Sequence, residues 1–179
     1  MSTNATKWVI DPTHSELLFK VKHLMITNVK GEFRSFSGEL KNEGDDFSKS
    51  LVEVSVDADS IFTNNEERDT HLKSEDFFEV EKYKKLTFKA TSFEKVSGSD
   101  YKLKGDLTIK DVTKPVTLDV EFGGTNTDPW GNKKAGFSLN GKINRKDWGL
   151  NWNAALETGG VLVGQEVKIS AEVQFTKEV

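Results

Sequence analysis

From Ser15 the chain reads SELLFKVKH. Leu17, Phe19, Val21 and His23 share one parity, and Glu16, Leu18, Lys20 and Lys22 share the other. A two-residue period, apolar against mostly charged, predicts a strand buried on one face. The period returns along most of the chain. LVEVSVDA sets Val52, Val54, Val56 and Ala58 on one side, and LTFKATSF sets Leu86, Phe88 and Ala90. YKLKGDLTI sets Tyr101, Leu103, Leu107 and Ile109, with Gly105 in step. VTLDVEF, AGFSLNGKI and VKISAEVQF repeat it, the second with Phe137 and Leu139 inward. NVKGEFRSFSGEL is a further strand with Phe33 inward and Gly31 and Gly38 at bends or bulges.

About eight strands result, joined mainly by the turn-like DPTH, NEGDD, SGSD and NTDPWGN, which is the pattern of an antiparallel sandwich or barrel. No repeat, linker or low-complexity tract interrupts them. Residues 8–177 therefore read as one all-β domain after a flexible N-terminus, residues 1–7. In a barrel of eight strands the apolar sides point inward, and the interior is either filled or holds one small ligand. The inward set mixes Phe19, Phe33, Phe88 and Phe137 with Ala58, Ala90, Gly105, Ala135, Gly141 and Ala171. That mixture fits an elongated apolar cavity and a tapered, packed core equally well.

NNEERDTHLKSEDFF, Asn64 to Phe78, breaks the period. Thr63 followed by Glu66 fits a capping box. Ser74 before Glu75 and Asp76 fits a second helix start. A short helical segment is expected around residues 64–80. Leu72 is its one large apolar residue before Lys73, so burial of its own face cannot hold it. It must dock through Leu72, Phe77 and Phe78 and through polar bonds. Arg68 and Asp69 here, and Arg145 and Asp147 in NRKDWG, suit such pinning, because an arginine fork pairs with carboxylates or carbonyls. His71 docks its turn in the same way. The functional variant is a lid over one barrel mouth that meets a ligand's polar end.

Composition narrows the classes. The chain has 179 residues, a net charge of −4 and no cysteine, which removes disulfide and thiolate chemistry but not a compartment. All but three of its 25 basic residues are lysine, and they are scattered, so no nucleic-acid footprint is expected. MSTNATKWVIDPTHS shows no signal peptide, and no apolar run reaches the length of a membrane helix. The expectation is a cytoplasmic protein if the chain is complete and a periplasmic one if a leader was removed. A membrane barrel would carry its apolar face outward, which the dense lysines oppose.

Candidate chemistry is sparse. His14, His23 and His71 form no close metal-binding pair, and no metal site is expected. Ser15, His14 and Asp11 could make a hydrolytic triad on paper, but sequence neighbours on a strand point to opposite faces. His23 has inward parity. It is either a buried histidine bonded to backbone or a head-group contact inside a pore. Trp148, Leu150 and Trp152 alternate, most simply as strand packing.

The blocks WVIDPTHSELLFKVKHLMITNVKGEFRSFSGEL, RDTHLKSEDFF, LKGDLTIKDVTKPVTLDVEF, AGFSLNGKINRKDWGLNW and GGVLVGQEVKISAEVQF, in this order and spacing, resemble the YceI-like family of bacterial isoprenoid- and lipid-binding proteins from about Trp8 to Phe175. One departure is Lys84 after Tyr83, where the family usually has proline. The resemblance implies an extended, lipocalin-like, eight-stranded antiparallel barrel with a long apolar pore, dimers, and no enzymatic activity. The implied ligand is hydrophobic, a co-purifying isoprenoid quinone, polyprenyl lipid or fatty-acid derivative, with no other cofactor. Parity assigns the pore to Phe19, Val21, His23, Phe33, Val54, Phe88, Leu107, Ile109, Phe137 and Leu139. The expected function is binding of a long-chain isoprenoid or other amphiphilic lipid for carriage, storage or sequestration. The alternatives are an enzyme using a histidine acid–base group on a small hydrophobic substrate, and a solid-core interaction domain.

Overall fold

The computed structural model describes residues 5–44, 46–157 and 159–178. Its strands are β1 (Ala5–Ile10), β2 (Glu16–His23), β3 (Thr27–Phe33), β4 (Phe36–Glu43), β5 (Asp46–Asp57) and β6 (Ile61–Phe62), then β7 (Lys85–Ser97), β8 (Asp100–Ile109), β9 (Val112–Thr127), β10 (Lys133–Asn144) and β11 (Val163–Lys177). One antiparallel sheet joins them, and the pairing of β1 with β11 closes it. The closed barrel has eight strands because three of them are broken. β1 and β2 both run along β11. β3 and β4 together face β2 and β1, and β6 continues β5 beside β3.

Each break has a local cause. Asp11 caps a 3-10 turn, Pro12–His14, by accepting from the Thr13 amide. A second 3-10 turn, Ala58–Ser60, separates β5 from β6. NVKGEFRSFSGEL is therefore not one strand, and its bend falls at Arg34–Ser35 rather than at a glycine. There the Asp57 amide donates to the Ser35 carbonyl (2.9 Å) and the Arg34 amide to the Ser60 carbonyl (3.1 Å), so the second and third breaks support one another. Ala5 to Lys7, expected to be flexible, are paired with β4; residues 1–4 lie outside the described residues.

Outward positions such as Lys89, Glu94, Lys102 and Lys104 are exposed, the reverse of a lipid-facing barrel wall. Among the described residues no helix is long and apolar enough to cross a membrane. Antiparallel order sends connections alternately to two ends. The turns after β4, β7 and β9 share one end. The β2–β3 hairpin tip, the β8–β9 turn and the two long connections, β6 to β7 and β10 to β11, share the other. The first end is filled by a cluster of Trp8, Leu40, Phe47, Phe93, Tyr101, Phe137 and Phe175, of which Leu40, Phe93, Phe137 and Phe175 also face the cavity above.

Candidate ligand-binding site

The long β6–β7 connection carries the one α-helix among the described residues, α1 (Glu66–Lys73). Its cap is Asn65, whose side chain accepts from the Arg68 amide (2.9 Å). Thr63, expected as the cap, is instead buried. Its amide and hydroxyl donate to Asp69 Oδ1 (2.8 and 2.5 Å). Arg68 donates from Nε to Thr63 Oγ1 (2.8 Å) and from Nη2 to the Thr63 carbonyl (2.7 Å). The helix that cannot hold itself by burial is thus clamped to the end of β6. Ser74 does not start a second helix. It ends α1, its hydroxyl donating to the His71 carbonyl (2.6 Å), and turns follow. The Phe78 amide returns to the Leu72 carbonyl (3.0 Å), which directs Leu72, Phe77 and Phe78 to the barrel interior.

The β10–β11 connection meets this segment. Arg145 is buried at 3% exposure. It donates to the carbonyls of Gly164 (2.8 Å), Leu150 (2.5 Å) and Val163 (3.3 Å). Burial pushes its pKa down from the ordinary arginine value, yet guanidinium remains charged because its starting pKa is so high. Asp147 is exposed and takes no part in this clamp. Trp148 lies in a 3-10 turn and donates from Nε1 to the Leu107 carbonyl (2.8 Å). Trp152 packs edge-on against His71 (centroids 4.6 Å apart) and tilted against Phe77 (5.5 Å). These tryptophans are not in a strand, so their alternation is not strand packing. His71 Nε2 also bonds Asp76 Oδ2 (2.8 Å). The two connections form one cover.

Beneath the cover lies a cavity of about 650 Å³, within the several-hundred-Å³ range of small-molecule sites. Phe19, Val21, His23, Phe33, Val54, Phe88, Leu107, Ile109, Phe137 and Leu139 all line it, as do Arg68, His71, Leu72, Phe77, Phe78 and Arg145; Asp69 and Asp147 do not. Lys22, Asn65, Glu67, Trp152 and Leu162 also line it and escaped the sequence reading. Lys22 has the outward parity, Trp152 sits in an alternation that reads as strand packing, and Asn65, Glu67 and Leu162 sit on segments without a period.

Phe19 and Phe88 are bulky yet leave the axis open. The Phe19 ring occupies the space a Cβ on Gly31 would need, and Phe88 Cζ lies 2.5 Å from where a Gly105 Cβ would sit. Each ring lies sideways over a glycine of the neighbouring strand. The small residues accommodate rings along the wall, and the volume remains at the centre.

Polar groups gather at the covered end: Lys22, His23, Asn65, Glu67, Arg68 and His71. His23 is half-buried, and its imidazole has no hydrogen bond among the described residues, so the expected backbone bond is absent. The paper triad does not assemble either. His14 Nδ1 bonds Asp11 Oδ2 (2.9 Å), but Ser15 is engaged with Gln174 backbone instead. Among the described residues no group of three or more His, Cys, Asp or Glu is placed to hold a metal. The arrangement can take up an elongated apolar chain with its polar end at the cover.

The profile of the YceI-like domain matches residues 8–175. A UPF0312 protein of Staphylococcus aureus is 42% identical over 172 residues, 96% of this chain and 98% of that one. The crystal structure of a Campylobacter jejuni YCEI protein, 34% identical, superposes with a TM-score of 0.74 over 89% of this chain and 91% of its own. A polyisoprenoid binding domain from Saccharophagus degradans shares the fold at 16% identity, with a TM-score of 0.67 over 96% and 98% of the two chains.

Proposed function

The chain belongs to the YceI-like family, and on that premise we propose that its cavity binds a long-chain isoprenoid or another amphiphilic lipid for carriage, storage or sequestration. The observation that carries the proposal is the apolar cavity with polar groups at one end only. Desolvation supplies the affinity: each methylene moved from water contributes about 0.8 kcal/mol before ordering costs. A chain of ten methylenes gains on the order of 8 kcal/mol with no polar contact. His23, Lys22 and Arg68 then choose the head group, because a half-buried imidazole facing the cavity without a partner among the described residues favours a ligand that supplies one. The polyisoprenoid binding of the Saccharophagus degradans domain points to the same ligand class.

Organic extraction of the purified protein, followed by mass spectrometry, is expected to release such a lipid. Delipidated protein is expected to take up a long-chain isoprenoid in native mass spectra. Protein that carries no lipid and takes none up would overturn the proposal. The unpartnered His23 also favours a second reading, an enzyme using His23 or His71 as its acid–base group. Turnover of a hydrophobic ester or epoxide that is lost in His23→Ala and His71→Ala would support it.

A further inference from the structure

The tip of the β2–β3 hairpin is Leu24-Met25-Ile26, exposed at 41%, 56% and 76%. The Ile26 amide bonds the His23 carbonyl (3.1 Å), and Leu24 and Met25 between them have φ of +53° and +63°. Positive φ at both central residues of a tight hairpin turn is a conformation that favours Asn-Gly, because a side chain with Cβ is strained there. Leu-Met is thus unfavourable twice, in backbone conformation and in exposing apolar surface to water. Strain of this kind persists where function retains it.

Charge behind the tip carries a third cost. Lys30 stands opposite Lys20, Lys20 opposite Lys168, and Lys168 opposite Lys142. Like charges directly opposite one another across strands are destabilising, and none of these four lysines has an ion-pair partner among the described residues. Lys22, next to the tip, has none either. From Lys20 to Lys30 the hairpin contains three lysines and no acid, in a chain of net charge −4. α1 brings Glu66 and Glu67 to the same end, so that end is not basic throughout. The hairpin is the part that is both apolar and basic.

The tip is also continuous with the cavity. The Leu24 amide bonds the Leu162 carbonyl (2.9 Å), and Met25 sulfur fills the space where a Cβ on Gly160 would sit. Leu162, Lys22 and His23 line the cavity.

We propose that the Leu24-Met25-Ile26 tip inserts into the surface of an anionic lipid bilayer, with the lysines behind it on the head groups, so that the cavity mouth opens onto the membrane. An apolar wedge backed by basic residues is what such a surface attracts. This deepens the lipid-binding reading by naming the surface from which the ligand enters and to which it returns.

The test is flotation of the full chain with vesicles of phosphatidylcholine, with and without phosphatidylglycerol, beside measurement of bound lipid in solution. Wild-type protein is expected to float with the anionic vesicles and to be released by salt. Ile26→Asp is expected to weaken flotation by about tenfold or more. The double change Leu24→Asn with Met25→Gly relaxes the turn. It should abolish flotation while melting no more than slightly below wild type, and this separates docking from misfolding. Wild-type protein that stays unbound, or variants that float equally well, would overturn the proposal. So would a wild-type dimer that Ile26→Asp converts to monomer without any flotation, since the tip would then serve a second copy. Loss of docking with lipid still in the cavity refutes this inference alone, whereas an empty cavity refutes the lipid-binding reading beneath it.

Discussion

The two halves of the barrel interior use the same strands differently. At the packed half, Trp8, Phe47, Phe93, Tyr101, Phe122, Phe137 and Phe175 each come from a different strand. Their rings meet across the axis: Phe47 lies 5.2 Å from Trp8, 5.0 Å from Phe122 and 5.5 Å from Phe137 between centroids. At the cavity half the inward residues are chiefly aliphatic, such as Val21, Val54, Leu139 and Val167, too short to cross the barrel. Two of the rings on that wall, Phe19 and Phe88, are drawn aside over Gly31 and Gly105. One half is closed by side chains meeting at the axis. The other is closed by a cover of loops held through hydrogen bonds to Thr63 and Arg145. Stability and binding capacity are thus separated along one barrel.

That separation can be broken at several points. Phe137→Ala removes the ring at the centre of the packed half and is expected to cost roughly 3–5 kcal/mol in denaturant unfolding, the largest effect. Arg145→Met leaves three carbonyls without their donor and should cost roughly 3 kcal/mol, with lipid lost because the cover loosens. Asp69→Ala removes the acceptor of both Thr63 bonds. It should cost about 1–2 kcal/mol and speed ligand release, as measured by transfer to a fluorescent competitor. Gly31→Ala, whose new Cβ has only Phe19 ring atoms as nearest neighbours, should turn that ring into the lumen. It is expected to lower lipid uptake severely for a stability change of ~1–3 kcal/mol.

The smallest effect is electrostatic and belongs to the packed half. The Thr13 hydroxyl, opposed by partial burial and helped by His14 and Lys134, holds the Asp11 carboxyl well below the usual carboxylate range. A depressed folded-state pKa means that Asp11 contributes stability above its ordinary pKa and loses it as pH falls toward the folded value. Asp11→Asn should therefore lower the melting temperature at neutral pH, and the gap to wild type should close in acid.

The cavity wall was legible because strand parity is a local property. Once the sheet closes, every second residue faces inward regardless of its partner, so Phe19, Val21, Phe33, Val54, Phe88 and Leu139 could be read from period two alone. Phe93 shows the limit. A register shift between Ala90 and Ser92 restores it to the interior, although strict alternation from Ala90 would put it outside. The cover was less legible. Arg68 and Asp69 read as a clamp from sequence, but the partner they share, Thr63, reads as the helix cap. Asp147 looks equivalent to them but is exposed and outside the Arg145 clamp. Trp152 alternates with Trp148 and Leu150 and so reads as strand packing, whereas its contacts with His71 and Phe77 join segments far apart in sequence.

By itself the sequence determined the all-β class, the inward faces, the site of the helical interruption and the family, since each depends on short-range pattern or on blocks in order. Whether the interior is open was a tertiary matter. The same mixture of large and small inward residues can fill a barrel or hollow it, and the outcome depends on which neighbour's glycine each ring covers. Register between strands places Phe19 over Gly31 and Phe88 over Gly105. The same register sets Lys20 beside Lys30 and Lys168, a row of like charge that no single strand reveals.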